Sequence, residues 1–233
     1  MKMKKVIKSM NSKKISVKTA LICGMLGCIC FGAGDWLMIY GAIQHTGELY
    51  WLTDGVASIP YWRNTLALTL SFPGIILYGI ALLSISLHIT EHRPRKIYKT
   101  LTIYGMTPWI ALHLFYIMIL YLYAWLNQNG FTSSANAICG ELYHYFSWFI
   151  LASEVLMTAP YLYLAYLIGK GRSIYSKKTS IVNPLFIYLL LYLVKTTLPD
   201  SAFRIGFTNG LMSESMFLWF SYLLWININK NKK

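Results

Sequence analysis

Asp35, His113, Glu154 and Glu214 are ionisable residues set within long apolar stretches of the sequence. A charged group at the centre of a membrane helix costs about 2.5–3.5 kcal/mol on insertion scales, so such residues usually face a bundle interior or a cavity. Carboxylates held there bind protons or a cationic group. A carboxyl beside an imidazole is also the equipment of general acid–base catalysis. Two carboxylates and an imidazole are ligands for a divalent ion as well, yet no His-x-x-x-His pair falls inside an apolar run. His88 and His92 have that spacing but lie at the end of a run, beside Arg93. The sequence therefore gives no reason to assign a metal. It also lacks a Walker motif, a dinucleotide fingerprint and a Gly-x-Ser-x-Gly elbow, so no cofactor is expected and no residue is assigned a catalytic role.

Helical spacing decides which of these residues share a face. Ala20, Gly24, Cys28 and Gly32 repeat every four residues, and Asp35 follows on the same side of that small-residue stripe. Glu141, His144, Ser147, Glu154 and Thr158 form one polar stripe at i, i+3, i+4 and i+7 spacing. Gly206, Gly210 and Glu214 align, with Asn209 and Ser213 adjacent, and Trp109, His113 and Tyr116 share a face. The expectation is an outward-opening cavity lined by Asp35, His113, His144, Glu154, Asn209 and Glu214. Arg63, Lys195 and Arg204 are the expected charge partners. The bland alternative is that these residues only glue helices together.

The elements that must position them follow from composition. Hydrophobic residues make up 56% of the 233 and charged residues 12%, against about 25% charged in soluble domains; the mean hydropathy is +0.48. Apolar runs near 19–43, 65–89, 102–126, 141–168, 181–198 and 205–228 match the length of about 20 residues that crosses a bilayer. The lysine-rich start superficially resembles a signal peptide, but the run after it continues to about Gly41. That is too long for a signal core, so it is read as a retained first span. The net charge of +13 does not indicate nucleic-acid binding, because the charge is spread over connecting segments rather than one face. Of the 21 Lys and Arg residues, all but Arg63, Lys195 and Arg204 fall in the N-terminal segment, the segments after the second and fourth runs, or the tail. The positive-inside rule puts these in the cytoplasm. The fold expected is an all-α, polytopic six-helix transmembrane bundle spanning 19–228. A basic cytoplasmic segment 1–18 and a basic tail 229–233 flank it, with both termini inside. The aromatic 44–63 segment suits the outer headgroup layer. Cys23, Cys28, Cys30 and Cys139 read as packing thiols. Pro73, Pro108, Pro160 and Pro184 mark bends or helix ends. An inverted repeat of two three-helix halves would set Asp35 against Glu154.

Several stretches carry a resemblance: Gly34-Asp35-Trp36-Leu37; Phe72-Pro73-Gly74 with Leu77-Tyr78; Gly169-Lys170 with Tyr175; Asn183-Pro184; and Arg204-Ile205 with Asn209-Gly210. Together they resemble a family of bacterial multi-pass membrane proteins catalogued as a domain of unknown function. The resemblance implies a bacterial cytoplasmic (plasma) membrane and supplies no activity. It implies that Asp35, Pro73, Asn183, Arg204 and Asn209 matter to the fold or to a site.

Three functions remain open. The first is a protein that binds or transports a small molecule or ion, with proton linkage through the carboxylates. The second is an intramembrane enzyme on a lipid-like substrate, with Glu154 or Asp35 as acid or base and His113 as partner. The third is a structural or immunity-type subunit. The residues favour a non-enzymatic role, with the bilayer and a small ligand as partners; oligomeric state is not legible. The topology makes a direct prediction. On a cysteine-free background, a cysteine at Ser133 should react only with reagent added outside, and one at Ser176 only from inside. Labelling of both from one side would contradict six spans.

Overall fold

Ser16 opens the first helix by accepting the Thr19 amide hydrogen at 3.1 Å, a side-chain cap of an otherwise unpaired donor. The apolar run after it is helical from Val17 to Ile39 (α1). The computed structural model describes residues 15–40 and 54–230. Beyond α1 its long helices are α2 (Tyr61–Ile85), α3 (His92–Gln128), α4 (Thr132–Gly169), α5 (Pro184–Thr197) and α6 (Ala202–Lys230), with a single helical turn at Asp54–Ala57. The lysines from Lys2 to Lys14, the segment 41–53 with Tyr50 and Trp51, and Lys232 and Lys233 lie outside the described residues. The fold is all-α, as composition and periodicity indicate.

Four helical stretches are long and apolar enough to cross a membrane: α1, α2 with its 3-10 extension to His88, α3 and α4. They mark the chain as membrane-embedded. The other two differ from expectation. α5 has 14 residues, or about 21 Å of helix against a hydrocarbon core of about 30 Å. It is shorter than the predicted 181–198 because Asn183 caps it. The Asn183 Oδ1 accepts the Leu185 and Phe186 amide hydrogens at 3.0 and 3.1 Å, and Pro184 takes the first helical position, where a missing N–H costs nothing. α6 has 29 residues but carries Asn209, Glu214 and Asn227 along it. The expected connections also shorten. Arg93, Arg95, Lys96 and Lys99 sit on the first turns of α3 rather than in a loop, and only residues 129–131 separate α3 from α4.

α1 lies along both α2 and α6, α3 lies along α4, and α5 rests on α6. Glycine makes the α1 contacts close. A Cβ on Gly27 would come within 2.7 Å of the Gly74 carbonyl oxygen and 2.9 Å of the Tyr78 nitrogen. One on Gly34 would meet Ser71 Oγ at 2.6 Å, and one on Gly24 the Ala81 methyl at 2.4 Å. Pro73 stands inside α2 beside Gly74. The inverted-repeat expectation finds no support in this packing, because α1 runs along α2 whereas its counterpart α4 barely meets α5.

At the end of the bundle carrying Lys18, Arg93 and Lys177, two connections are laced together. Ile89 and Ser173 form an antiparallel bridge, and the Thr90 and Ile174 amides donate to the Arg172 and His88 carbonyls. Arg172 pairs with Glu91 at 3.2 Å. Gly171, at φ +71°, makes the turn that allows this, a conformation open to glycine without a Cβ clash. The Tyr175 hydroxyl lies 2.7 Å from His88 Nδ1 and accepts weakly from Asn227 at 3.4 Å. Burial pushes its phenol up to about 12, against the opposing hydrogen bond from Asn227.

The polar stripe expected to point inward from the fourth span does so only at one end, where Glu154 and Thr158 line cavities. Glu141, His144, Ser147 and Glu154 are exposed on α4 and Thr158 is half-buried. α4 packs chiefly on α3, with Tyr161 also reaching Tyr78 of α2 and Trp219 of α6, so much of its circumference stays uncovered. The close α1–α2 crossing carries a prediction. Gly27→Ala should lower the melting temperature in detergent, with a cost of about 1–3 kcal/mol for overpacking. Gly79→Ala, whose new methyl would sit at an ordinary 3.7 Å from Met106, should not. Equal effects would argue against the Gly27–Gly74 contact.

Candidate functional site

The core divides into two apolar clusters, one around Leu82, Tyr161 and Trp219 and one around Ile39, Leu120 and Cys139. Asp35 and His113 fall at the junction. On α1, Phe31 belongs to the first cluster and Met38 to the second; on α3, Trp109 packs on the first and Ile117 belongs to the second. A cavity of about 250 Å³ opens at this junction, lined by Asp35, His113, Glu154 and Asn209 among apolar and aromatic side chains. A second chamber of about 330 Å³ lies between α4, α5 and α6. The two chambers share Trp109, Glu154, Asn209 and Met212.

Each polar group is held in a definite way. Asp35 is 6% exposed, and its Oδ2 accepts from the Ser213 hydroxyl at 3.2 Å. The Asn209 amide donates to the Asp35 main-chain carbonyl at 3.0 Å. Asp35 Oδ1 and Asn209 Oδ1 take no further bond from the described residues. His113 is 9% exposed, wedged edge-on against Phe31 and tilted against Trp109 at centroid distances of 4.2 and 4.7 Å. Its Nδ1 lies 3.0 Å from the Trp109 carbonyl. A carbonyl only accepts, so Nδ1 carries the proton and Nε2 is left unspent. Glu154 is exposed at the cavity mouth.

Glu214, expected in the same cavity, lies in another. It lines a groove of about 930 Å³ shared by α1, the start of α2, α5 and α6. The reason is local. Gly206 and Gly210 leave a notch in α6 that the Trp36 indole fills, since a Cβ there would come within 2.6 and 2.8 Å of the ring. The indole N–H then donates to Glu214 Oε1 at 3.3 Å. Consecutive α6 residues thus hold different partners, Ser213 the Asp35 carboxylate and Glu214 the Trp36 indole, while both border the groove.

The expected charge partners are engaged elsewhere. Arg63 donates to the Trp36 and Tyr40 carbonyls at 3.4 and 2.8 Å, capping the end of α1. Lys195 sits 5.0 Å above the Tyr192 ring. Arg204 pairs with Asp200 one turn earlier. Asp35 and Glu214 are held by a hydroxyl and an indole instead, which cost less to desolvate than a cation. His144 is exposed on α4 and lines neither chamber nor the groove. Among the described residues no three His, Cys, Asp or Glu side chains gather closely enough for a metal ion. Sequence reasoning missed Trp36, Ser213 and Met212 as parts of these sites. The i, i+4 spacing of Asn209 and Ser213 was a usable signal; nothing in the spacing of Trp36 announced its notch.

A model of a family of unknown function (DUF6796) matches residues 7–231. No curated protein and no solved structure matches the chain.

The notch yields a prediction. Gly210→Ala should displace the indole and lower thermal stability in detergent more than Trp36→Phe does. The latter removes only a hydrogen bond to an acid, about 1.5–3 kcal/mol if the acid is charged. The opposite order would show that the indole does not occupy the notch.

Proposed function

The chain belongs to this family of unknown function, and we propose that it is a six-span protein of a bacterial plasma membrane that binds or transports a small molecule or ion through the cavity at Asp35. The span count rests on the six apolar runs of the sequence, four of which form helices long and apolar enough to cross a membrane. Cytoplasmic termini are supported by the Lys and Arg distribution, because Arg63, Lys195 and Arg204 fall near the helix ends remote from the laced basic connections.

The observation that carries the reading is a pair of buried side chains, Asp35 and His113, each with an unspent polar atom on one cavity. Both side chains line the cavity, where a ligand or water can complete their hydrogen bonds. Among the described residues no hydrogen bond joins His113 to a carboxylate, so the geometry supports binding better than acid–base catalysis. Proton linkage fits the carboxylates, and Glu154 at the mouth is the first that a ligand meets. α5, short and held mainly by α6, forms one wall of the outer chamber; weakly packed elements are the ones that move in gating.

Two substitutions test this. Met212→Cys, on a cysteine-free chain in liposomes, should react with a small water-soluble thiosulfonate. Glu154→Gln should keep expression and melting temperature, because its carboxylate has no ion-pair partner among the described residues. An inert Met212→Cys in a folded protein, or unfolding of Glu154→Gln, would remove the basis for a ligand cavity.

A further inference from the structure

Resting on the reading that this cavity holds a ligand, we propose that the ligand is a small organic cation whose charged end carries N–H donors, an ammonium or a guanidinium on an apolar body. The polar atoms left open in the two chambers point to this when sorted by what they can still do. The Asn209 amide is spent on the Asp35 carbonyl, so its Oδ1 remains. His113 Nδ1 is spent on the Trp109 carbonyl, leaving Nε2, an acceptor in the neutral ring. The Thr158 and Thr208 hydroxyl hydrogens are spent on the Val155 and Arg204 carbonyls. When ionised, Asp35 Oδ1 and the Glu154 carboxylate are acceptors and nothing else. Among the described residues the Trp109 indole N–H and the Tyr188 hydroxyl stay open as donors, but the open side-chain atoms of Asp35, Asn209 and His113 in the chamber at Asp35 are acceptors. A ligand that matches them brings donors.

Charge narrows the class further. Among the described residues neither chamber is lined by Lys or Arg, and Arg63, Lys195 and Arg204 are committed to carbonyls, a ring and Asp200. An anion would therefore meet two carboxylates with no compensating cation, whereas a cation forms charge-assisted hydrogen bonds with them. Size and wall chemistry argue for an organic ion rather than a bare metal. The chambers measure about 250 and 330 Å³, and the described residues offer no chelating group of three. The Trp109 ring borders both chambers, and an aromatic face attracts a cation within about 6 Å of its centre. Glu154 at the mouth and Asp35, buried and pinned by Ser213, then act as outer and inner anchors.

The test uses the full chain in lipid nanodiscs, with benzylamine and agmatine as probes and calorimetric titration as the readout. Both amines should bind. Benzyltrimethylammonium, which has the charge but no N–H, should bind at least tenfold more weakly than benzylamine, as should benzyl alcohol and benzoate. Asp35→Asn and Glu154→Gln should each weaken benzylamine at least tenfold; should the first fail to fold, the second carries the test. If benzyl alcohol or benzoate binds as tightly as benzylamine, or if no amine binds while Met212→Cys still reacts with thiosulfonate, the cation proposal is overturned and the cavity stands. An inert Met212→Cys in a folded protein would overturn both.

Discussion

The contact on which the other contacts depend is the backbone-to-backbone approach of α1 and α2 at Gly27 and Gly74. Within a bilayer, apolar side chains gain little by leaving lipid for one another, so helices associate through close van der Waals contact and hydrogen bonds. With Gly27 facing the Gly74 carbonyl and Gly34 facing Ser71, α1 and α2 form a closely joined pair. Gly24, which faces both Ala81 of α2 and Phe220 of α6, and Gly32, which receives Ser213, bring α6 close as well. α1 is thereby held on two sides, and its polar residues have little freedom to choose where they point.

That constraint explains how two neighbouring residues serve different surfaces. Asp35 is turned to the seam with α6, where Ser213 and Asn209 hold its carboxylate and its carbonyl. Trp36, one residue on, is rotated by the helix to the glycine notch of α6 and reaches Glu214. The two acids of the α1–α6 seam each take a neutral donor. Neutral partners leave the carboxylates uncompensated, and this gives the cavity its electrostatic character. The cations that composition offered for pairing serve as caps and local ties at helix ends, near the bundle's rim where water and headgroups can solvate them.

The rest of the bundle is less tightly bound to this pair. α3 and α4 form a hairpin of their own, and α5 touches little besides α6. The space between the hairpin and the α1–α6 seam is where the chambers lie. Glu154 owes its place at their mouth to this looseness: the same α4 face would be buried if α5 packed along it.

How much of this was legible in the sequence depends on whether the physics is local. The apolar runs, the helices they form, the Asn183-Pro184 start of α5 and the sorting of Lys and Arg to one end are set by residues within a few positions of each other, so they can be read directly. The candidacy of Asp35, His113, Glu154 and Asn209 was also legible, because an ionisable or amide group in hydrocarbon calls for an explanation wherever it falls. Their partners were not. Whether Asp35 meets Arg63 or Ser213, and whether Glu214 shares its cavity or lies behind Trp36, depends on the rotation of α6 against α1, which is decided by how an indole fits over Gly206 and Gly210. The outward turn of His144 likewise follows from α4 packing chiefly on α3. Helical periodicity states which residues share a face, but it does not say which faces are covered. Only the tertiary packing decides that, because coverage is a property of two helices and periodicity a property of one.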